Sequence, residues 1–156
     1  MASTAIADGA PSVDLVGYSM GGLIARAAAA DLPTGVRRVA TIASPHDGTS
    51  LAGLGAFIGG DANCPTACQQ MAPGSDFLGA LPVAGAEDRW LSAWSAADEV
   101  VRPADSSSLS GATNVEVDTS CATPGLNHGQ IVASPVVADL VATFLATGEV
   151  SASCGG

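Results

Sequence analysis

Ser19 sits in Gly17-Tyr18-Ser19-Met20-Gly21, a Gly-x-Ser-x-Gly pattern, in a chain with only two histidines, His46 and His128, and a set of carboxylates between and around them. A serine hydroxyl is a weak nucleophile near neutral pH. It needs a base within hydrogen-bond reach, and the base needs a third group that fixes its tautomer. Serine, histidine and carboxylate brought together are the minimal set for attack on a carbonyl carbon through a covalent intermediate.

Those side chains need elements to hold them. Residues 13–16 are a short apolar run of strand formers, and Leu23, Ile24, Ala27 and Ala28 recur at helical spacing. The serine therefore belongs on a sharp strand-to-helix turn, where Gly17 and Gly21 avoid collisions two residues to either side and Gly22 allows close helix-to-strand packing. The helix start aims free N–H groups at the same point, which places the Met20 amide to stabilise an oxyanion beside Ser19.

Further strands are expected over 37–43, 90–95 and 114–119, and a helix over 134–146, opened by Ser134-Pro135 and stopped at Gly148. The long Gly/Ala-rich stretch 50–82 exceeds a plain connector and is expected to hold short helices that line or cover a site. Apolar strands separated by helices and crossovers predict an α/β class: a three-layer parallel sheet of about four strands with flanking helices, in one domain over 1–150 with a tail over 151–156.

Working residues in such sheets gather at the carboxyl ends of the strands, where both histidines fall. An elbow serine is followed in chain order by the acid and then the base, and only His128 leaves room for an acid strand between. His128 is thus the expected base and His46 a pocket-wall or loop-shaping residue. Asp98, three residues past the third strand, is the expected acid. Glu99 is adjacent and an alternative, Asp118 falls within a strand, Asp105 lies in a Ser-rich loop, and Asp14 is expected to be satisfied by backbone or Arg26.

Composition limits the partners. The chain has 156 residues, 47% of them hydrophobic and 13% charged, no lysine, five arginines and a net charge of −10. That charge repels phosphate backbones and anionic lipid, which argues against nucleic-acid binding. No apolar run is long enough for a transmembrane segment, and residues 1–12 lack the basic start and apolar centre of a signal peptide. Four cysteines, Cys64, Cys68, Cys121 and Cys154, lean towards two disulfides and an oxidising compartment, with Cys64–Cys68 and Cys121–Cys154 the favoured pairing. Free buried thiols are the plainer alternative, and a zinc site lacks paired Cys-x-x-Cys knuckles.

The strings VDLVGYSMGGLIAR, ASPHDGT, SAADEVVRP and LNHGQ, in that order, resemble the small secreted triacylglycerol lipases and esterases of actinobacterial type within the α/β-hydrolase superfamily. The resemblance implies carboxylic ester hydrolysis on a small-molecule or lipid ester, with Ser19 as nucleophile, Asp98 as acid, His128 as base and Met20 as an oxyanion donor. It implies no cofactor or metal, and it implies secretion.

The family pattern also has strands before the elbow strand and a second oxyanion N–H from an early loop, which implies that the N-terminal half of the fold is lacking here. Two consequences are expected. The elbow strand becomes an exposed edge open to homodimer formation, and one missing oxyanion donor costs about a hundred- to a thousandfold in rate. Two rivals therefore stand beside the hydrolase: an inactive remnant, and an acyltransferase with the same triad.

Overall fold

The computed structural model describes residues 2–50, 66–85 and 89–150. Strands β1 (Val13–Tyr18), β2 (Val36–Ile42), β3 (Trp90–Trp94) and β4 (Thr113–Glu116) form one sheet in the order β1-β2-β3-β4. All three neighbouring pairs are parallel.

Around the sheet lie α1 (Ala2–Ala7), α2 (Met20–Asp31), α3 (Thr66–Gln70), α4 (Asp76–Ala80), a 3₁₀ turn (Ala104–Ser107), α5 (Val117–Ser120), α6 (His128–Ala133) and α7 (Pro135–Thr147).

Alternation along the strands sorts the helices to opposite faces. Ala40, Ile42, Leu91 and Ala93 pack with Ile131, Val137, Leu140, Val141 and Phe144 of α6 and α7. The intervening Val39 and Trp90 pack with Ala25 of α2 and with Leu109 and Ala112. Phe144 and Leu140 are 0% and 2% exposed, and each buried side chain of this size contributes about 1.5–3 kcal/mol against remaining in water. The result is a three-layer α/β arrangement with a four-stranded parallel sheet, as the apolar patterning predicts.

Helix α7 follows its sequence signals. Pro135 occupies the first turn and Gly148 closes the helix in the left-handed conformation at φ 83, its N–H donating to the Phe144 carbonyl at 2.8 Å. Ser134 is the N-cap residue by position, with no side-chain capping bond.

Several expectations are corrected. The fourth strand ends at Glu116, and Asp118 lies in the helical turn α5. Asp14 has the backbone partner expected, the Arg38 N–H at 3.1 Å, but its ion pair is with Arg37 and not Arg26. The Arg37 guanidinium holds its carboxyl below the usual carboxylate range. Arg26 is instead buried on α2 and donates to the carbonyls of Pro82, at 2.8 and 3.1 Å, and His46, at 3.3 Å.

Cys68 is a free, buried thiol, which overturns the Cys64–Cys68 pairing: on α3 it packs with Leu23, Met71 and Leu78 as an apolar core residue. Cys64, Cys154, residues 51–65 of the 50–82 stretch and the 151–156 tail lie outside the described residues. Among the described residues no helix is long and apolar enough to cross a membrane.

Candidate active site

The turn between β1 and α2 carries Ser19 at φ 53, ψ −127, a conformation that costs a residue with a Cβ of order 1–3 kcal/mol. The surroundings over-determine it. The Ser19 N–H donates to the Ile42 carbonyl at 2.9 Å, and its own carbonyl accepts the Gly22 N–H at 3.0 Å. A serine before a helix normally turns its hydroxyl onto the helix's free amides, but here there is no such capping bond. The side chain points away from α2.

Two of the three glycines meet a real steric demand. A Cβ at Gly17 would lie 2.5 Å from the Gly21 carbonyl oxygen and the Gly22 Cα, and one at Gly22 would lie 2.0 Å from Ser44 Oγ. Gly21 differs from expectation: among the described residues nothing lies within 4 Å of a Cβ built there, because the position faces outward from the first turn of α2.

The Ser19 hydroxyl meets His128. The Oγ–Nε2 distance is 3.0 Å, and His128 Nδ1 lies 2.7 Å from Asp98 Oδ2. His128 and Asp98 are 0% and 1% exposed, whereas Ser19 is partly open to solvent. The second oxygen of Asp98 accepts the Val100 and Val101 N–H groups at 2.8 and 2.9 Å, so the carboxylate is anchored on one side and free to accept from the imidazole on the other. Hydroxyl, imidazole and carboxylate stand in series, the serine at the carboxyl end of β1, the histidine at the start of α6 and the aspartate just past β3.

Histidine 128 was expected in a loop. It is the first residue of α6, whose N-cap Asn127 exchanges bonds with Gln130 in a capping box. Its main chain is also held: the Tyr18 hydroxyl donates to its carbonyl at 2.8 Å, and its N–H donates to Glu99 Oε2 at 3.0 Å. Glu99 thus touches the histidine backbone, and Asp98 takes the ring. Burial, followed by the negative charges of Asp98 and Glu99, pushes the Tyr18 hydroxyl above its ordinary pKa, so it remains a donor.

Reasoning on motifs missed Ser95, and it weighed Asp118 only as an acid and not as the partner of that serine. Buried Ser95 donates to Asp118 Oδ2 at 2.9 Å and accepts from the N–H groups of Ala97, at 3.1 Å, and Leu126, at 3.0 Å. One hydroxyl therefore ties together the loops that bear Asp98 and His128. No local sequence signal marks it, since its partners come from three separated segments.

His46 lies with Thr41 and not in this series. Its Nε2 is 3.0 Å from Thr41 Oγ1 and its buried Nδ1 has no partner among the described residues. Burial, and then the Arg26 charge, push its pKa down to about 3, which leaves the ring neutral and fits a loop-shaping part.

An apolar cavity of about 270 Å³ adjoins the serine turn, lined by Met20, Leu23, Ile24, Ala67, Gln70, Met71 and Phe77. The last four come from the 50–82 stretch, as expected of a segment that lines a site. A second cleft, of about 170 Å³, is bordered by Val36 and Trp90 at the amino ends of β2 and β3, the end opposite Ser19.

The sheet with its elbow and flanking helices is a partial α/β-hydrolase fold. A family model described as alpha/beta hydrolase fold matches residues 9–58, about a third of the chain. The chain is similar in structure to lipase B of Aspergillus fumigatus, with a TM-score of 0.68 and 22% identity, over 89% of this chain and 38% of that one. It thus spans about two fifths of the length of that lipase. Among curated proteins none matches the chain in sequence.

Proposed function

We propose that the chain is a serine carboxylic ester hydrolase of lipase type, acting on a small-molecule or lipid ester. The observation that carries this reading is the unbroken series from Ser19 Oγ to His128 Nε2 at 3.0 Å and from His128 Nδ1 to Asp98 Oδ2 at 2.7 Å. Likeness to a lipase fold and the apolar cavity beside the serine support it.

In this reading Ser19 Oγ attacks the ester carbonyl carbon as its proton passes to His128 Nε2, and Asp98 stabilises the imidazolium. The Met20 N–H, first of α2, donates to the oxyanion. Collapse expels the alcohol with the proton from His128 and leaves an acyl ester on Ser19. Water, deprotonated by His128, then releases the acid and restores the hydroxyl. The cavity lined by Met20, Ile24, Met71 and Phe77 takes the apolar acyl chain, and no step calls for a metal or cofactor.

Secretion accompanies this reading, with a Cys121–Cys154 disulfide. Cys121 is disulfide-bonded, whereas Cys68 is a free thiol. The side of β1 that pairs with no strand among the described residues, where Val16 is 55% exposed, serves as the surface for self-association.

Fluorophosphonate labelling tests the proposal directly. Wild-type protein is expected to be labelled on Ser19 and to hydrolyse short-chain nitrophenyl esters, and Ser19→Ala to do neither. A folded wild-type protein that resists the label refutes it.

A further inference from the structure

The hydrogen bonds from Ser19 and Asp98 to the imidazole of His128 are each matched, one residue away, by a hydrogen bond to the backbone of the same histidine. Ser19 Oγ lies 3.0 Å from Nε2, and the preceding residue, Tyr18, donates its hydroxyl to the His128 carbonyl at 2.8 Å. Asp98 lies 2.7 Å from Nδ1, and the following residue, Glu99, accepts the His128 N–H at 3.0 Å. We propose that Tyr18 and Glu99 are positioning residues that grip the main chain of His128 from both sides and so set the reach of its ring to Ser19 and Asp98. The inference rests on the serine-hydrolase reading of this site.

The physical case begins with the loop that leads to α6. Helix α6 has only six residues, and its own start is satisfied by the Asn127–Gln130 box, which leaves the His128 N–H to find an acceptor elsewhere. Glu99 is an exposed side chain, yet it is turned back onto this amide. A bond from an amide to a carboxylate is stronger than one to a neutral acceptor.

Tyr18 works from the other face. Its ring lies 5.0 Å from the imidazole, tilted by 35°, so the same side chain braces the ring by packing and the carbonyl by hydrogen bonding. Both holders are rooted next to the group their neighbour presents to the ring: Tyr18 at the end of β1, Glu99 beside Asp98. Any drift of β1 or the Asp98 loop therefore carries the histidine with it, and the series stays in register.

The neutral hydroxyl and the carboxylate can be removed separately without opening the core. Tyr18→Phe keeps the ring contact and deletes the donor. Glu99→Ala deletes the acceptor, and Glu99→Gln keeps an acceptor at the same reach without the charge.

We would measure kcat and KM on a short-chain nitrophenyl ester, the fluorophosphonate labelling rate and the thermal midpoint for wild type and the three variants. Misplacement of a reacting group by a fraction of an ångström lowers rate and leaves binding alone. The expected result is a fall in kcat and labelling rate of about tenfold for Glu99→Ala and about fivefold for Tyr18→Phe, with KM unchanged and Glu99→Gln recovering most of the loss.

Variants that label at the wild-type rate overturn the inference. So do losses that vanish once rates are expressed per folded molecule, or that appear in KM alone. Failure of the wild-type protein itself to label counts against the hydrolase reading instead, so the two failures are told apart.

Discussion

Gly22, in the first turn of α2, lies so close to Ser44 that a Cβ there would stand 2.0 Å from its Oγ and 2.6 Å from its Cβ. Ser44 is fully buried just past β2, so it has no open space to move into. Gly22→Ala is therefore expected to destabilise the fold by about 1–3 kcal/mol through overpacking. Gly21→Ala, one residue earlier in the same helix, meets nothing described and is expected to stabilise by up to about 1 kcal/mol through helix propensity. Urea unfolding of the two variants checks both signs at once.

His46 links stability to pH. Its folded pKa is depressed from 6.5 to about 3, so the unfolded chain binds a proton below about 6.5 that the folded chain refuses. Stability is present at neutral pH and is lost as pH falls through that window, by up to about 1.4 kcal/mol per unit from this group. Denaturant midpoints from pH 7 to pH 4 are expected to fall more steeply for wild type than for His46→Gln. Parallel slopes refute the assignment.

Asp98 is expected to act through the ring it faces. Asp98→Asn keeps the size of the side chain but presents a poor partner to Nδ1, and ester hydrolysis is expected to fall by about three to four orders of magnitude. Unchanged circular dichroism separates this loss from unfolding.

The cavity beside Met20 makes a specificity prediction. Phe77→Ala opens the wall of the 270 Å³ space and is expected to shift preference towards longer acyl esters, whereas Ile24→Phe narrows it and favours shorter ones. Competition between nitrophenyl esters of different chain length gives the ratio of kcat/KM. If neither variant changes that ratio, the acyl chain lies elsewhere.

Val16 faces outward from β1, which pairs on one side only among the described residues. Concentration-dependent self-association is expected for wild type, and Val16→Lys is expected to abolish it by placing charge on the edge. Sedimentation velocity over a wide concentration range distinguishes the two.

Local chemistry made the scaffold legible. The elbow, the parallel sheet and α7 follow from an apolar run broken by Gly-x-Ser-x-Gly, from apolar strands with crossovers, and from Pro135 and Gly148, each a signal contained within a few neighbouring residues. Chain order singled out Ser19, Asp98 and His128 as well, and those three side chains meet in the folded chain.

Tertiary packing alone settled which partner each polar group took. Asp14 found Arg37 in place of Arg26, and Cys68 became core instead of half a disulfide. Glu99 turned to a backbone amide, and Ser95 joined three segments. Such choices depend on distances between residues tens of positions apart, which no local periodicity encodes. A buried donor or acceptor bonds to whatever group the packed layers bring within reach.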